Sequence, residues 1–521
     1  MAWDGIRPIE LLLGREGLVL RRNADLIPLG ALRNARNLTL EDSTLRTAGG
    51  ASKLGTAPAA VTIMAAVDYF PTLGTQRTVV YASGGTIRKD DGAGGSWATL
   101  KSGLTTADVV PMFALAGAEL VNRNKKLFVA DRVNTVQVLS ADGSTTSDLA
   151  TPPADWNGTN QPGWLAPHGR WLWGGGNAND PKRAYRSSGD DHEDWTTLPF
   201  TLSIAGEYER LVAGMDYKGG LLLWGYPEGV WFVRADSPDA PATAWQIDKV
   251  ARPGAAGPAN IIAIEDDVLW TSPDGSQHLV SATNATGSAR ASDIGARKLG
   301  SFFADSINLS LLSSAQWVYY AHKQVAMLAC HAAGQTTKNL RVDFDVRQTQ
   351  DVGERWLLND RDRNEALFMR KKSEVLIPAM GDAAGQIWEL DQASRSKDGA
   401  GYESTWETND VSFASILGRS CRKTNGKFIQ LIYDPRQSAT LTLEVQRDGD
   451  TKQTIQFSLD AQAGTFPYTL PFTLGGTRAL RVTRPKRLLG QAYRWAFKGT
   501  TSGINADASV AGLMIGAELA A

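Results

Sequence analysis

Five histidines are the first candidates for chemistry: His168, His192, His278, His322 and His331. An imidazole acts as a metal ligand or proton carrier when a second donor is held beside it. No HExxH or other pair at i and i+4 occurs, so these side chains are expected at the surface or at sheet edges. The stretch DRDRNE (360–365) opens like a calcium loop, with Asp360, Asp362 and Asn364 at alternate places. The sixth place needs glycine but holds Glu365, and the twelfth needs Glu but holds Lys371, so calcium is rejected and a solvated loop is expected. Glu265-Asp266-Asp267 precedes a strand ending in Trp270 and reads as an inter-strand turn. No Ser-His-Asp constellation stands out and GxSxG is missing. GASKLGT (50–56) is not a phosphate-binding loop, because its second Gly is not followed by Lys and Ser or Thr. The two cysteines, Cys330 and Cys421, are far apart and do not suggest a disulfide scaffold. No catalytic, cofactor-binding or metal-binding residue is assigned, no cofactor is expected, and the chain does not read as an enzyme.

The densest group of acids is SSGDDHEDW (187–195), where Asp190, Asp191, Glu193 and Asp194 surround His192. Paired carboxylates can serve glycoside hydrolysis. The segment resembles the Asp-box of sialidase propellers, Ser-x-Asp-x-Gly-x-x-Trp, yet no Gly lies between the acids and Trp195. A sialidase also carries several such boxes, and here there is one. A polar turn capping a blade is the expectation. Three basic clusters could touch phosphates: Arg123-Asn124-Lys125-Lys126, Arg370-Lys371-Lys372 and Arg484-Pro485-Lys486-Arg487. Acids such as Asp360, Asp362 and Glu374 lie near them, so solvated loop tips are expected. A protein that grips nucleic acid through phosphates is usually clearly basic, and this one has a net charge of −1.

The elements that must position these groups are strands. The 521 residues, 42% hydrophobic and 21% charged, suffice for two or three globular domains. The opening MAWDGIRPIELLLGREGLVLRR is interrupted by Asp4, Glu10, Arg15 and Glu16 and does not read as a signal peptide. No window of about 18 apolar residues occurs, so no membrane span is expected. Short apolar runs broken by Gly, Asp, Asn and Pro dominate, which is the all-β signal. Tyr81, Val129, Trp173, Trp224, Trp270, Tyr319 and Ala379 mark a repeat of strand, tight turn and strand. A period of roughly 40–50 residues is the size of one propeller blade. Residues 51–400 are therefore expected to form a β-propeller of six to eight blades, seven preferred. SKDGAGYES (396–404) reads as a linker. Beyond it, Leu441, Leu443 and Val445, then Ile455, Phe457 and Leu459, then Tyr493, Trp495 and Phe497 alternate with polar residues. Strict period two puts one face in a core, so residues 401–521 are expected to form an antiparallel β-sandwich. Residues 1–50 remain as an N-terminal extension with a hairpin.

That extension carries a resemblance. LIPLGALRNARNLTLEDSTLRTAGGASKLG resembles the start of the tail nozzle proteins of short-tailed bacteriophages, the tail tubular protein B-like family. The matching residues are Asp25, Ile27, Pro28, Leu32, Ala35, Asn37, Leu38, Leu40, Leu45, Arg46, Gly49 and Lys53. Two places depart from the pattern: Ser43-Thr44 replaces a turn Gly, and Ala48 stands where a second Arg is common. SSGDDHEDW and the terminal VAGLMIGAEL extend the resemblance along the chain. It implies a structural virion protein located in the tail and assembled in the host cytoplasm. Such proteins form a ring, usually of six copies, below the head-to-tail adaptor ring, with tail fibres or spikes as further partners, and double-stranded DNA leaves through the ring without specific binding. The hairpin would start the chain against its own blades and offer an edge to a neighbour. Two other classes stay open: a tail-tip receptor-binding protein, and a propeller-type glycan hydrolase or lyase. The last would need several acids and an Arg converging on the propeller axis.

Overall fold

The computed structural model describes residues 7–20, 27–41, 44–72, 75–92, 95–106, 110–116, 126–140, 143–189, 191–196, 200–204, 209–235, 240–281, 293–347, 355–360, 364–419, 422–435, 438–459, 480–503 and 506–520. Asp25, Asp42, Ser43, Arg123, Asn124, Lys125, Asp190, Asp362 and Cys421 lie outside the described residues.

The chain is all-β, with short helical turns such as Ala296–Leu299, Phe302–Ser306 and Phe413–Ile416. Five antiparallel sheets follow one another as the blades of a β-propeller, each strand hydrogen-bonded to the next in sequence. They open with Ile63–Thr72, Met112–Ala116, Trp164–His168, Arg210–Tyr217 and Ile261–Ile264. The first strands recur roughly every 50 residues, as one blade per repeat requires. Each first strand lies beside that of the next blade along most of this series. The aromatic markers fall on the second strands: Tyr81 on Thr75–Ala82, Trp173 on Trp171–Gly175, Trp224 on Gly220–Tyr226 and Trp270 on Asp267–Thr271. Trp173, Trp224 and Trp270 are fully buried. Trp173 fills a wedge between sheets, its ring edge-on to Phe200 at 5.6 Å and to Trp245 at 5.3 Å. Burying such side chains between sheets stabilises each by about 1.5–3 kcal/mol relative to exposure.

The expected six to eight blades are not what the sheets give. After the fifth blade, two further meanders, 316–359 and 366–392, look like blades in sequence but are joined into one 14-stranded sheet. The join runs through Leu32–Arg36, Ala400–Thr408, Ser396–Lys397 and Gly50–Lys53. Two strands of the N-terminal segment have thus added to the outer edges of the two meanders, and Ser396–Lys397 with Ala400–Thr408 bridges them. The free ends of this sheet, Gln316–Tyr320 and Ala366–Lys372, face each other across a shared core, and the Leu367 amide donates to Gln316 Oε1 at 2.8 Å. The sheet is therefore nearly closed. Gln316–Tyr320 also abuts the fifth blade, where Trp317 Nε1 donates to Thr271 Oγ1 at 2.7 Å. Ala366–Lys372 abuts the first blade, with Ala366 and Phe368 in one core with Ile63 and Val80.

The expected antiparallel β-sandwich of residues 401–521 is not shown, because the later strands are shared between two sheets that also hold N-terminal strands. Ala439–Arg447, Asp450–Leu459 and Trp495–Gly503 extend the 14-stranded sheet from Ala400–Thr408. Thr424–Tyr433 and Ser509–Leu519 belong to an eight-stranded sheet with Arg7–Leu12, Leu38–Glu41 and Thr44–Thr47. Leu443, Phe457 and Phe497 of the larger sheet share a core with Ile429, Leu513 and Ile515 of the smaller. Alternation correctly marks one buried face on these strands, but it carries no information about which strands complete the sheet. Tyr493 is an exception to its own alternation and is 49% exposed. The expected linker at 396–404 is a hairpin, with Ser396–Lys397 paired to Ala400–Thr408 across Asp398 and Gly399, both at positive φ.

Candidate functional site

The N-terminal segment that carries the resemblance is threaded through the body. Leu32, Ala35, Leu38, Leu40 and Leu45 are buried. Asn37 sits between Leu32–Arg36 of one large sheet and Leu38–Glu41 of the other, at φ 57. That left-handed conformation turns the chain from sheet to sheet, and Asn tolerates it better than other residues with a Cβ. Its side chain is stapled on both sides: Nδ2 donates to the Glu403 carbonyl at 2.9 Å and to Asp360 Oδ1 at 3.2 Å, while Oδ1 accepts from the Asp360 amide at 3.2 Å. Its carbonyl accepts from the Ala48 amide and from Ser404 Oγ, both at 3.0 Å.

From the hairpin a chain of charges crosses to three other segments. Arg46 holds Asp507 with both fork nitrogens, Nε at 2.9 Å and Nη2 at 2.5 Å, and reaches Glu41 at 2.7 Å. Asp507 also faces Arg395 at 3.3 Å. Glu41 lies 3.5 Å from Lys323, and Lys323 lies 2.8 Å from Asp391, which accepts the Tyr320 hydroxyl at 3.0 Å. Burial works against the charged form of Asp507, but hydrogen bonding to Arg46 and the charge of Arg395 outweigh it and hold its pKa below the usual carboxylate range. Burial likewise works against Arg46, and Asp507 and Glu41 outweigh it, raising that pKa. Tyr320 is raised by burial and by Asp391. A cleft lies alongside, bordered by Leu40, Lys323, Arg341, Asp343, Asp345 and Asp391. Its charges are matched: Arg341 grips Asp343 at 2.7 Å, Asp345 takes Arg347 and Arg355, and Arg347 also donates to the Leu40 carbonyl at 2.8 Å. Paired in this way, the groups fix the hairpin's register and cap its outer strand. They are arranged for positioning, and the cleft lies beside the hairpin.

The sequence candidates are scattered. His168 pairs with Asp216 between the third and fourth blades. His192 is buried, with Nε2 at 3.0 Å from the Arg170 carbonyl, and His278 is buried with Nε2 3.2 Å from Ser272 Oγ. His322 is exposed beside the Tyr320 ring. His331 is buried, and burial together with the nearby Lys338 charge lowers its pKa to about 4. Among the described residues, no group of three or more His, Cys, Asp or Glu could hold a metal ion. Residues 187–189 and 191–195 lie at a turn in the third blade: the Glu193 amide donates to Asp191 Oδ1, Glu193 pairs with Lys126 at 2.6 Å, and Trp195 packs on Trp156 at 4.7 Å. Glu265-Asp266 turns between Ile261–Ile264 and Asp267–Thr271. GASKLGT supplies Gly50–Lys53, the outer strand against Ile387–Gln392. Asp360 pairs with Arg36, and Glu365 Oε1 accepts the Lys338 amide at 3.1 Å. Lys486–Arg487 lies exposed against Phe428 and Ile429.

Arg370 departs from expectation. It is 6% exposed, pairs with Glu389 at 2.6 Å and packs against Thr78 of the first blade. The cluster Arg370-Lys371-Lys372 is the end of an inner strand, because Ala366–Lys372 pairs fully with Val375–Gly381 and leaves no loop there. Asp507, Arg395, Lys323 and Asp391 were missed as partners: they lie far apart in sequence, and of the whole network Arg46 alone stood in a motif.

A scan of family models and a search of curated proteins give no match. Among solved structures, the chain is similar to one described as YCF48 bound to D1 peptide, with a TM-score of 0.37 and 10% identity, over 65% of this chain and 94% of that chain.

Proposed function

We propose that this chain is a structural tail protein of a short-tailed bacteriophage, six copies of which form the nozzle ring below the head-to-tail adaptor. The observation that carries the reading is the fate of the segment on which the resemblance stands. Residues 32–53 are not a tail: Leu32–Arg36, Leu38–Glu41, Thr44–Thr47 and Gly50–Lys53 enter separate places in two sheets, and Arg46 and Asn37 pin them. A body whose two chain ends are locked into the same sheets is a rigid block with its edges largely covered, suited to stacking in a ring through heterologous contacts. In this reading the fused meanders 316–359 and 366–392 close the gap between the fifth blade and the first, and the strands of 401–521 with those of 7–47 form a sandwich-like second body. The near-neutral net charge suits a duct wall that passes double-stranded DNA without holding it, since every phosphate contact would add affinity. Tail fibres or spikes would attach to the outside, and the chain would reside in the virion.

Negative-stain microscopy of the purified full chain, run beside a polysaccharide-cleavage assay and a host-cell binding assay, tests the reading. Rings with a central pore and neither activity support it. Single particles that cleave a glycan or adhere to cells overturn it in favour of a hydrolase or a receptor-binding protein.

A further inference from the structure

Where the second to fifth blades and the following meander converge, a half-open cavity lies at the hub. Arg132 comes from the second blade, Gly176 from the third, Arg210 and Val212 from the fourth, Gly257 from the approach to the fifth and Ser313 from the approach to the next meander. No carboxylate borders it among the described residues. This contrasts with the cleft beside the hairpin, where every arginine has its acid.

We propose that this hub cavity is a binding site for a small dianionic oxyanion of the phosphate class, held between the guanidinium groups of Arg132 and Arg210. Both side chains are half-buried. Arg210 Nε is buried without an acceptor among the described residues, and its guanidinium lies over the Tyr226 ring at 5.1 Å. Burial and the charge of Arg210 together lower the pKa of Arg132, so the two cations are close enough to repel. Two half-buried like charges are costly unless an anion stands between them, and the planar fork of Arg suits a tetrahedral oxyanion. The pairing of Arg210–Tyr217 with Gly220–Tyr226 slips between Leu211 and Ala213, which places a bulge at Val212 on the cavity wall, a common device beside ligand sites. The acids adjacent in sequence have other partners: Asp131 accepts the Tyr81 hydroxyl at 2.7 Å and the Asn134 side chain at 2.6 Å, and Glu209 pairs with Lys249 at 3.3 Å. The inference is independent of the nozzle reading, since it rests on the hub alone.

The test is calorimetric titration and thermal melting of the full chain with inorganic phosphate against chloride at matched ionic strength, with malonate as a second arm. Wild type is expected to bind phosphate at micromolar to low millimolar concentration and to melt higher in it. Arg132→Gln and Arg210→Gln are each expected to weaken binding at least tenfold. In chloride they should melt no lower than wild type, because each removes a repelling charge. Arg132→Lys keeps the charge without the fork and should fall in between, and Arg484→Gln, at an exposed distant position, should bind as wild type does. Malonate binding as well as phosphate assigns a carboxylate source, and phosphate alone a phosphoryl source; either supports the site. Equal melting in phosphate and chloride, or unchanged binding in both glutamine variants, overturns it.

Discussion

Asn37→Ala isolates the turn on which the N-terminal threading depends. The substitution acts in two ways. Alanine at φ 57 carries a left-handed cost of about 1–2 kcal/mol, part of which Asn already escapes. It also removes the side chain that serves the Glu403 carbonyl and both the amide and the carboxylate of Asp360, and leaving such groups unpaired costs about 1–3 kcal/mol. Together the expected loss is about 2–4 kcal/mol in the local opening of the hairpin. Asn37→Gly separates the two effects, because glycine takes the backbone conformation freely and loses only the hydrogen bonds. It should be milder than alanine by about 1 kcal/mol. Native-state hydrogen exchange reads this directly through the Ala48 amide, which donates to the Asn37 carbonyl at 3.0 Å, and through the amides of Leu38–Glu41. An Ala48 amide that exchanges within about 0.5 kcal/mol of wild type in the alanine variant would refute the argument, taking as scale the usual spread for surface changes. So would a glycine variant at least as damaged as the alanine one.

Asp507→Ala removes the carboxylate that Arg46 grips and Arg395 faces, side chains 16% and 4% exposed, while Arg46 keeps Glu41 at 2.7 Å; it should cost about 2–4 kcal/mol in denaturant unfolding, and a loss under about 1 kcal/mol would mean that water replaces the carboxylate. Gly50→Ala puts a Cβ within 2.1 Å of the Ser394 carbonyl oxygen and 2.4 Å of that of Ser396, so backbone must move; the strand Gly50–Lys53 should detach and become protease-sensitive, at a cost of about 1–3 kcal/mol or more, and an intact strand in that variant would contradict the packing. Asp68, on the first blade's inner strand Ile63–Thr72 and against Ala366–Lys372, has its pKa raised to about 6 by burial despite the amide hydrogen bond from Lys371. The folded chain then holds that proton more tightly than the unfolded one, so Asp68 adds stability below about pH 4 that is lost as pH rises to about 6. Partial exposure limits the effect to about 1–2 kcal/mol. Asp68→Asn should flatten this part of the pH profile, and an unchanged profile would count against it.

What was legible in the sequence and what was not divide along a physical line. Tyr81, Trp173, Trp224 and Trp270 announced the blades because each repeat must solve the same wedge-filling problem locally, so the same residue type returns at the same spacing. Tyr319 falls on the first strand of its meander, where the others mark the second, and Ala379 marks the last meander, but such markers show only that a meander is present and not that it stands as a separate sheet. The fusion of two meanders through Leu32–Arg36 and Gly50–Lys53 depends on pairings across more than three hundred residues, which period-two alternation does not encode. The alternating residues Leu441, Phe457 and Phe497 were rightly placed in a core, while the partners of their strands were not legible. Arg46 drew notice through a motif, but Asp507 and Arg395 entered only when the fold brought them to it. Arg132 and Arg210 carried no signal at all in sequence; their meaning comes from the absence of an acid at the hub among the described residues.

A reconstruction of the assembled ring by electron microscopy tests the conduit most directly. The account predicts six copies around an open axial channel whose wall is neutral or acidic, so that duplex DNA passes without being held. A continuous belt of Lys and Arg facing that axis, or a particle that stays a single copy with no channel between subunits, would contradict it.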